Sequence, residues 1–142
     1  MKLFFVRLLL LPLLLAMLAG CFSEADQGED ANRIISTVHK GFQTGNWQDV
    51  MPLYNDQFLR IHELKAWQKQ ITTLTKPLGA LEHVKRTFKH YDPRLGGVFY
   101  TYGFLLHFKH GSLTETLTIF KDADQKNMTI SGHDLKLRKR QS

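Results

Sequence analysis

Glu115 stands where its strand should be apolar. In the run Leu113-Thr114-Glu115-Thr116-Leu117-Thr118-Ile119 the odd positions are apolar and the even ones threonine, except that Glu115 takes an odd place. Strict alternation marks a half-buried strand, so the carboxylate shares a face with Leu113, Leu117 and Ile119. A carboxylate among apolar side chains is costly unless it is paired or protonated. A two-residue turn at His110-Gly111 would set Phe108 opposite Leu113, Leu106 opposite Glu115 and Phe104 opposite Leu117. In the last strand Gly132 and His133 fall roughly across from Glu115. A bulge at Gly132 would turn His133 inward beside Leu135 and Leu137. Glu115, His133, Tyr100, Tyr102 and Phe104 are therefore the candidate lining of a polar spot on an apolar face. Three readings stand. The face ends there and Glu115 meets water; Glu115 and His133 form a structural pair; or the group serves a ligand or reaction, burial then raising the carboxyl pKa unless His133 offsets it.

The other reactive side chains are less well placed. The chain has seven histidines, which invites a metal reading. Ligands on one strand need even spacing, whereas His107 and His110 are three apart and His83 and His90 seven, and no HExxH pattern occurs. The spacing speaks against a metal site and leaves edge or surface histidines. Ser112 falls in a turn and Ser131 in a strand, with no nucleophile elbow and no glycine-rich phosphate loop, so no cofactor is implied. The aromatic strand from Val98 to Phe108 lacks the interleaved arginines of a nucleic-acid platform. Without Lys2 and Arg7 the formal net charge of +6 falls to 6 − 2 = +4, mildly basic and not the concentrated charge of a nucleic-acid binder.

Cys21 is the only cysteine, so it has no partner for a disulfide within the chain. It follows a basic start at Lys2 and Arg7 and an apolar run from Leu8 to Ala19, broken only by Pro12. That run is shorter than the ~20 residues a spanning helix needs, and its order is that of an export signal. Leu18-Ala19-Gly20-Cys21 resembles the lipobox of bacterial lipoproteins. The resemblance implies cleavage before Cys21, a diacylglyceryl group on its sulfur and an acylated amine, which together hold a protein to a membrane. Phe22, where an aspartate favours inner-membrane retention, implies the outer membrane of a Gram-negative envelope.

The elements that would position Glu115 and His133 come in two blocks. Residues 1–20 are the signal peptide and 21–30 the lipidated cysteine with an acidic tether. Ile34, Ile35, Val38 and Phe42 recur at helical spacing, predicting a helix from about Asp30 to Thr44 that ends at Gly45. Asn46 can cap a second helix with Trp47, Val50 and Met51 inside, which Pro52 should stop. A third, from about His62 to Thr75, carries Leu64, Trp67, Ile71 and Leu74 on one side, closed by Pro77 and Gly79. The period then changes to two. Strands are expected at Ala80 to Tyr91, along Val98 to Phe108, after Gly111 and from Met128 to Leu137, the first two joined through Asp92 to Gly97. Residues 138–142 are a basic tail, read as solvated. About three helices packed on a four-stranded antiparallel meander is an α+β domain spanning 31–137.

This order resembles the NTF2-like, or cystatin-like, cone fold. Gly45-Asn46-Trp47-Gln48-Asp49-Val50 is similar to the helix opening of small exported members. Thr75-Lys76-Pro77-Leu78-Gly79-Ala80-Leu81 is similar to their turn into the first strand, with Thr75 where an arginine is usual. The resemblance implies a cavity between helices and sheet and no particular activity. The expectation is a non-catalytic, membrane-anchored domain that binds a small apolar ligand or an envelope protein. A rival is an isomerase-like or dehydratase-like enzyme using Glu115, His133 and a tyrosine. A third is a subunit of an envelope assembly, or a homodimer, joined through Phe99, Leu105 and Phe120 on the other sheet face.

Overall fold

The computed structural model describes the backbone of residues 23–138 and the side chains of residues 28–138. The signal segment, the lipobox at Cys21 and the tail beyond Arg138 lie outside the described residues. Backbone contacts divide the chain into Met1–Asp30 and Ala31–Ser142, and the second unit is the one with a sheet.

Helix α1 is Ser23–Thr44. It starts ahead of the expected Asp30, because the acidic stretch carries Glu24, Asp26, Glu29 and Asp30 without a proline, and carboxylates suit a helix's first turns. It ends as expected: Gly45 takes φ 72° and its amide donates to the Gly41 carbonyl at 2.8 Å. From Ala31 onward its inner stripe is Ala31, Ile34, Ile35, Val38 and Phe42, all buried.

The expected second helix does not form. Residues 48–50 are a turn, and Met51–Leu53 is a single 3-10 turn. Pro52 has no amide to donate back along an α-helical ladder, so the stretch after Trp47 closes as successive tight turns instead. Trp47 and Val50 nevertheless pack inward, with Trp47 edge-on to Phe42 at 4.9 Å. A short helix follows instead, α2 at Asp56–Leu59, capped by the Asn55 side chain accepting from the Phe58 amide. Helix α3 is Leu64–Thr75, opened by the Glu63 carboxylate, which accepts from the Lys65 and Ala66 amides. The 3-10 turn Lys76–Leu78 and Gly79, at φ 76°, close it.

Strands β1 (Leu81–Arg94), β2 (Gly97–Phe108), β3 (Gly111–Asp122) and β4 (Met128–Leu137) form one antiparallel sheet in the order β1-β2-β3-β4. The chain is thus α+β, a four-stranded meander with helices over one face. Two turns differ from expectation. Asp92 to Arg94 stay in β1, and the hairpin turn is Leu95-Gly96, with Gly96 at φ 93°. The β2–β3 turn is Lys109-His110 rather than His110-Gly111. The Lys109 amide donates to the Ala80 carbonyl at 2.9 Å and the His110 amide to Leu78 at 2.8 Å. Those two bonds fix the turn one residue earlier, and Phe108 pairs with Gly111. The inner face keeps its identity, since each partner moves by two places along the strand.

Gly97 shows how tightly the Leu95-Gly96 end is built. A Cβ there would sit 2.4 Å from the Lys121 carbonyl oxygen and 2.5 Å from the Phe120 ring. Because one obstacle is backbone, Gly97→Ala should destabilise the domain by about 1 to 3 kcal/mol, the range for overpacking. Denaturant melts measure this, and a loss below about 0.5 kcal/mol would mean the strands are not in this register.

Candidate functional site

Glu115 lies on the inner face of β3 and is 1% exposed. The reading in which it meets water is overturned. Phe104, not Leu106, is directly opposite on β2, and Leu135, not His133, is opposite on β4. His133 pairs across from Leu117, two residues along on the same face.

A bulge does bring His133 inward, but at Ser131 and not at Gly132, which pairs with Thr118. Pairing runs Thr118 with Gly132 and then Ile119 with Ile130, so Ser131 is the extra residue. One extra residue exchanges the faces downstream of it. Met128 and Ile130 point inward before the bulge, His133 and Leu135 after it. Leu137, expected inside, is 57% exposed at the end of edge strand β4, although its partner Leu113 is fully buried.

The carboxylate has two partners. His133 Nε2 lies 2.8 Å from Glu115 Oε1, and His39 Nε2, from α1, lies 2.7 Å from Oε2. His133 Nδ1 is 2.7 Å from the Tyr54 hydroxyl, and Trp67 Nε1 donates to that same oxygen at 2.8 Å. Burial pushes the Tyr54 hydroxyl's pKa up, the Glu115 charge adds to this, and the Trp67 hydrogen bond only partly opposes it. Tyr54 therefore keeps its proton. With Trp67 donating to its oxygen, it donates to His133 Nδ1, and His133 as the Nε2–H tautomer donates to Glu115. Every polar atom in that line is then satisfied.

The electrostatics follow from the donors. Burial alone would raise the Glu115 carboxyl pKa. Hydrogen bonds from His133 and His39, and the electrostatic pull of the two ring N–H groups, outweigh burial and hold it at about 2 against a usual 4.5. The expected rise is thus reversed through the His133 offset, with His39 adding to it. The surroundings are aromatic: the His39 ring meets Phe104 edge-on at 4.7 Å, and the Trp67 ring meets His133 at 5.2 Å.

The expected tyrosines are elsewhere. Tyr100 packs on Tyr91 at 5.4 Å, and Tyr102 sits across from Leu117, stacked on Phe104 at 6.3 Å. Burial raises the Tyr102 pKa, with Arg86 pulling the other way. The hydroxyl that reaches the histidine belongs to Tyr54. Tyr54 occupies an irregular stretch, so no periodic pattern could have marked it. It is placed by a bridge to Ile130 and by the Asn55 amide donating to the Ile130 carbonyl at 2.9 Å. His39 did leave a signal, since it stands four residues beyond Ile35 on the buried side of α1. Pairing also sets His83 opposite His107, rings 5.9 Å apart, which spacing within one strand cannot reveal. No group of three His, Cys, Asp or Glu side chains disposed to hold a metal ion occurs among the described residues.

No protein-family model matches the chain, and none of the curated proteins or solved structures matches it.

Two outcomes test the site. Trp67→Ala should cost about 3 to 5 kcal/mol, as for emptying any buried large aromatic, and should also remove the donor to Tyr54. A loss under about 1 kcal/mol would mean the ring is not buried in the core. Glu115→Gln should cost about 1 to 3 kcal/mol at pH 7, the range for hydrogen bonds to a buried charge. Because the folded pKa lies below the unfolded one, the contribution of Glu115 is full above pH 4.5 and is lost as pH falls toward about 2. The gap between wild type and Glu115→Gln in urea melts should therefore shrink from pH 6 to pH 2.5. A gap independent of pH would exclude the ionic cluster.

Proposed function

We propose that the chain is a lipoprotein held at the periplasmic face of the outer membrane through acylated Cys21, and that it carries a non-catalytic binding domain of NTF2-like shape. The observation that carries the non-catalytic reading is the closure of Glu115. Each oxygen of this 1% exposed carboxylate takes a histidine N–H, and both ring nitrogens of His133 are engaged. A general acid or base needs a free position within reach of its substrate. Glu115 and His133 offer none, which weighs against the enzyme reading.

The same closure weighs against a small apolar ligand beside Glu115, where Phe104, Trp67 and the two histidines fill the space. The outer face of the sheet is the better binding surface. Phe88 is 47% exposed there, and Phe99 and Phe120 are half-buried with rings 4.7 Å apart. The cone assignment is supported by helices over one face of a four-stranded meander, with α3 and its proline turn leading into β1.

The lipid anchor is tested by metabolic labelling. Wild type should take up labelled palmitate and fractionate with membranes, whereas Cys21→Ala should do neither. Export and trimming of the wild type without any label would refute the lipoprotein assignment.

A further inference from the structure

His83 and His107 face each other across β1 and β2 on the outer face of the sheet, opposite the helices. Their rings are nearly parallel, 24° apart, with centres separated by 5.9 Å. A register irregularity at the start of β1 makes this pair. Leu81 is opposite Phe108, and continuing that pairing would set Glu82 across from His107 and turn His83 to the inner face. The extra residue at Glu82 brings His83 there instead. Ser112 lies across from His107 on its other side, on β3, and its hydroxyl is 3.2 Å from His107 Nδ1. His83, His107 and Ser112 thus form a row across three strands. His83 is exposed and His107 half-buried, so the row opens to solvent.

This geometry suits a shared metal ion. An imidazole holds a metal about 2 Å from its nitrogen, which leaves the ring centre about 3 Å from the ion. Two rings on one ion therefore stand from about 4.5 Å apart, side by side, to about 6 Å apart, on opposite sides. The observed 5.9 Å falls within that interval, so small side-chain rotations let one ion reach both rings. Ser112 settles which nitrogen of His107 is available. Its hydroxyl can accept from Nδ1–H, which leaves the lone pair on Nε2, and a hydrogen bond of this kind orients a ligating histidine. The donor set also selects the ion. Calcium and magnesium want several oxygens, whereas the pair offers two neutral nitrogens, with Lys85 farther along the same face of β1. A structural zinc site closes with four protein ligands. Copper(II) binds nitrogen sites most tightly in the first-row series and accepts a tetragonal shell of two nitrogens completed by water. We infer that His83 and His107 bind one Cu(II) ion through His107 Nε2 and a ring nitrogen of His83, with water in the remaining positions. The ion ties the start of edge strand β1 to β2. This site goes beyond the proposed binding function and rests on neither the lipid anchor nor the NTF2-like shape.

Titration of the full chain with Cu(II) in mild detergent tests the inference, on a Cys21→Ala background so that no thiol reduces the ion. Electron paramagnetic resonance should show one tetragonal Cu(II) per chain with a Kd of about 10 µM or tighter. Spin-echo modulation should show two imidazoles on that ion. His83→Ala and His107→Ala should each weaken binding by about tenfold or more and leave one imidazole. His83 is exposed, so its removal leaves the core intact whatever the His107 variant does. His90→Ala, exposed on the same face of β1, should change nothing. Absence of a two-imidazole signal overturns the assignment. A two-imidazole signal that survives His83→Ala also overturns it, by giving the ion to other histidines. Palmitate labelling of the wild type is read separately, so failure of the lipoprotein reading and failure of the copper reading are distinct results.

Discussion

A single carboxylate charge sits in the apolar interior, and much of the tertiary arrangement answers to it. Removing an ion from water costs several kcal/mol even after the protein relaxes, and only close, well-aligned donors repay it. Glu115 has two, at 2.7 and 2.8 Å. One depends on the extra residue Ser131, without which His133 would face the other way. The other depends on α1 crossing the sheet where His39 can reach past the edge of Phe104. Tyr54 must then be pinned to Ile130 so that His133 Nδ1 is not left bare. A bulge, a helix position and a loop conformation are thus set by one charge.

Such clusters do more to select an arrangement than to raise its stability. Buried ion pairs can often be exchanged for apolar side chains of like volume without loss, whereas removing one partner costs about 3 to 5 kcal/mol. An apolar residue at position 115 would be content beside Phe104 or Leu106 alike. A carboxylate is content only where two imidazole N–H groups converge. The β2–β3 register is held from outside as well, by the Leu78 and Ala80 carbonyls bonded to the turn amides. Local turn geometry and the buried charge therefore specify the same pairing, and a one-residue slip would break both while exchanging the faces of β3.

The sheet was legible in the sequence because alternation over ten or more residues is a strong, local signal. The paired Glu115 and His133 were legible for the same reason: each breaks an otherwise regular pattern. What failed was set by groups far away in sequence. The β2–β3 turn slid by one residue because Leu78 and Ala80 supply acceptors that no reading of the hairpin alone contains. The helix expected after Asn46 lost to Pro52, a conflict visible in the sequence but resolved there in favour of the wrong element. Tyr54 and His39 entered the cluster from an irregular segment and from a helix face, and only tertiary packing brings these to one point. The aromatic stripe of β2 suggested Tyr100 and Tyr102 as polar partners, yet their side chains are occupied by Tyr91 and Phe104.

The two faces of the domain are joined by one short stretch, residues 54–58. Tyr54 holds His133 inside, and Phe58 stacks on Tyr54 at 4.3 Å. Asn55 is tied to β4 twice, through its amide to Ile130 and through its side chain to Thr129 at 3.1 Å. Gln57, next to Phe58 but on the exposed side of α2, lines two shallow outer clefts. The β1 edge is blunted by Lys85, Lys89, Pro93 and pairing irregularities near Glu82 and Thr87, on a strand exposed along most of its length. The segment that carries Gln57 is thus fastened both to the buried cluster, through Tyr54, and to β4, through Asn55.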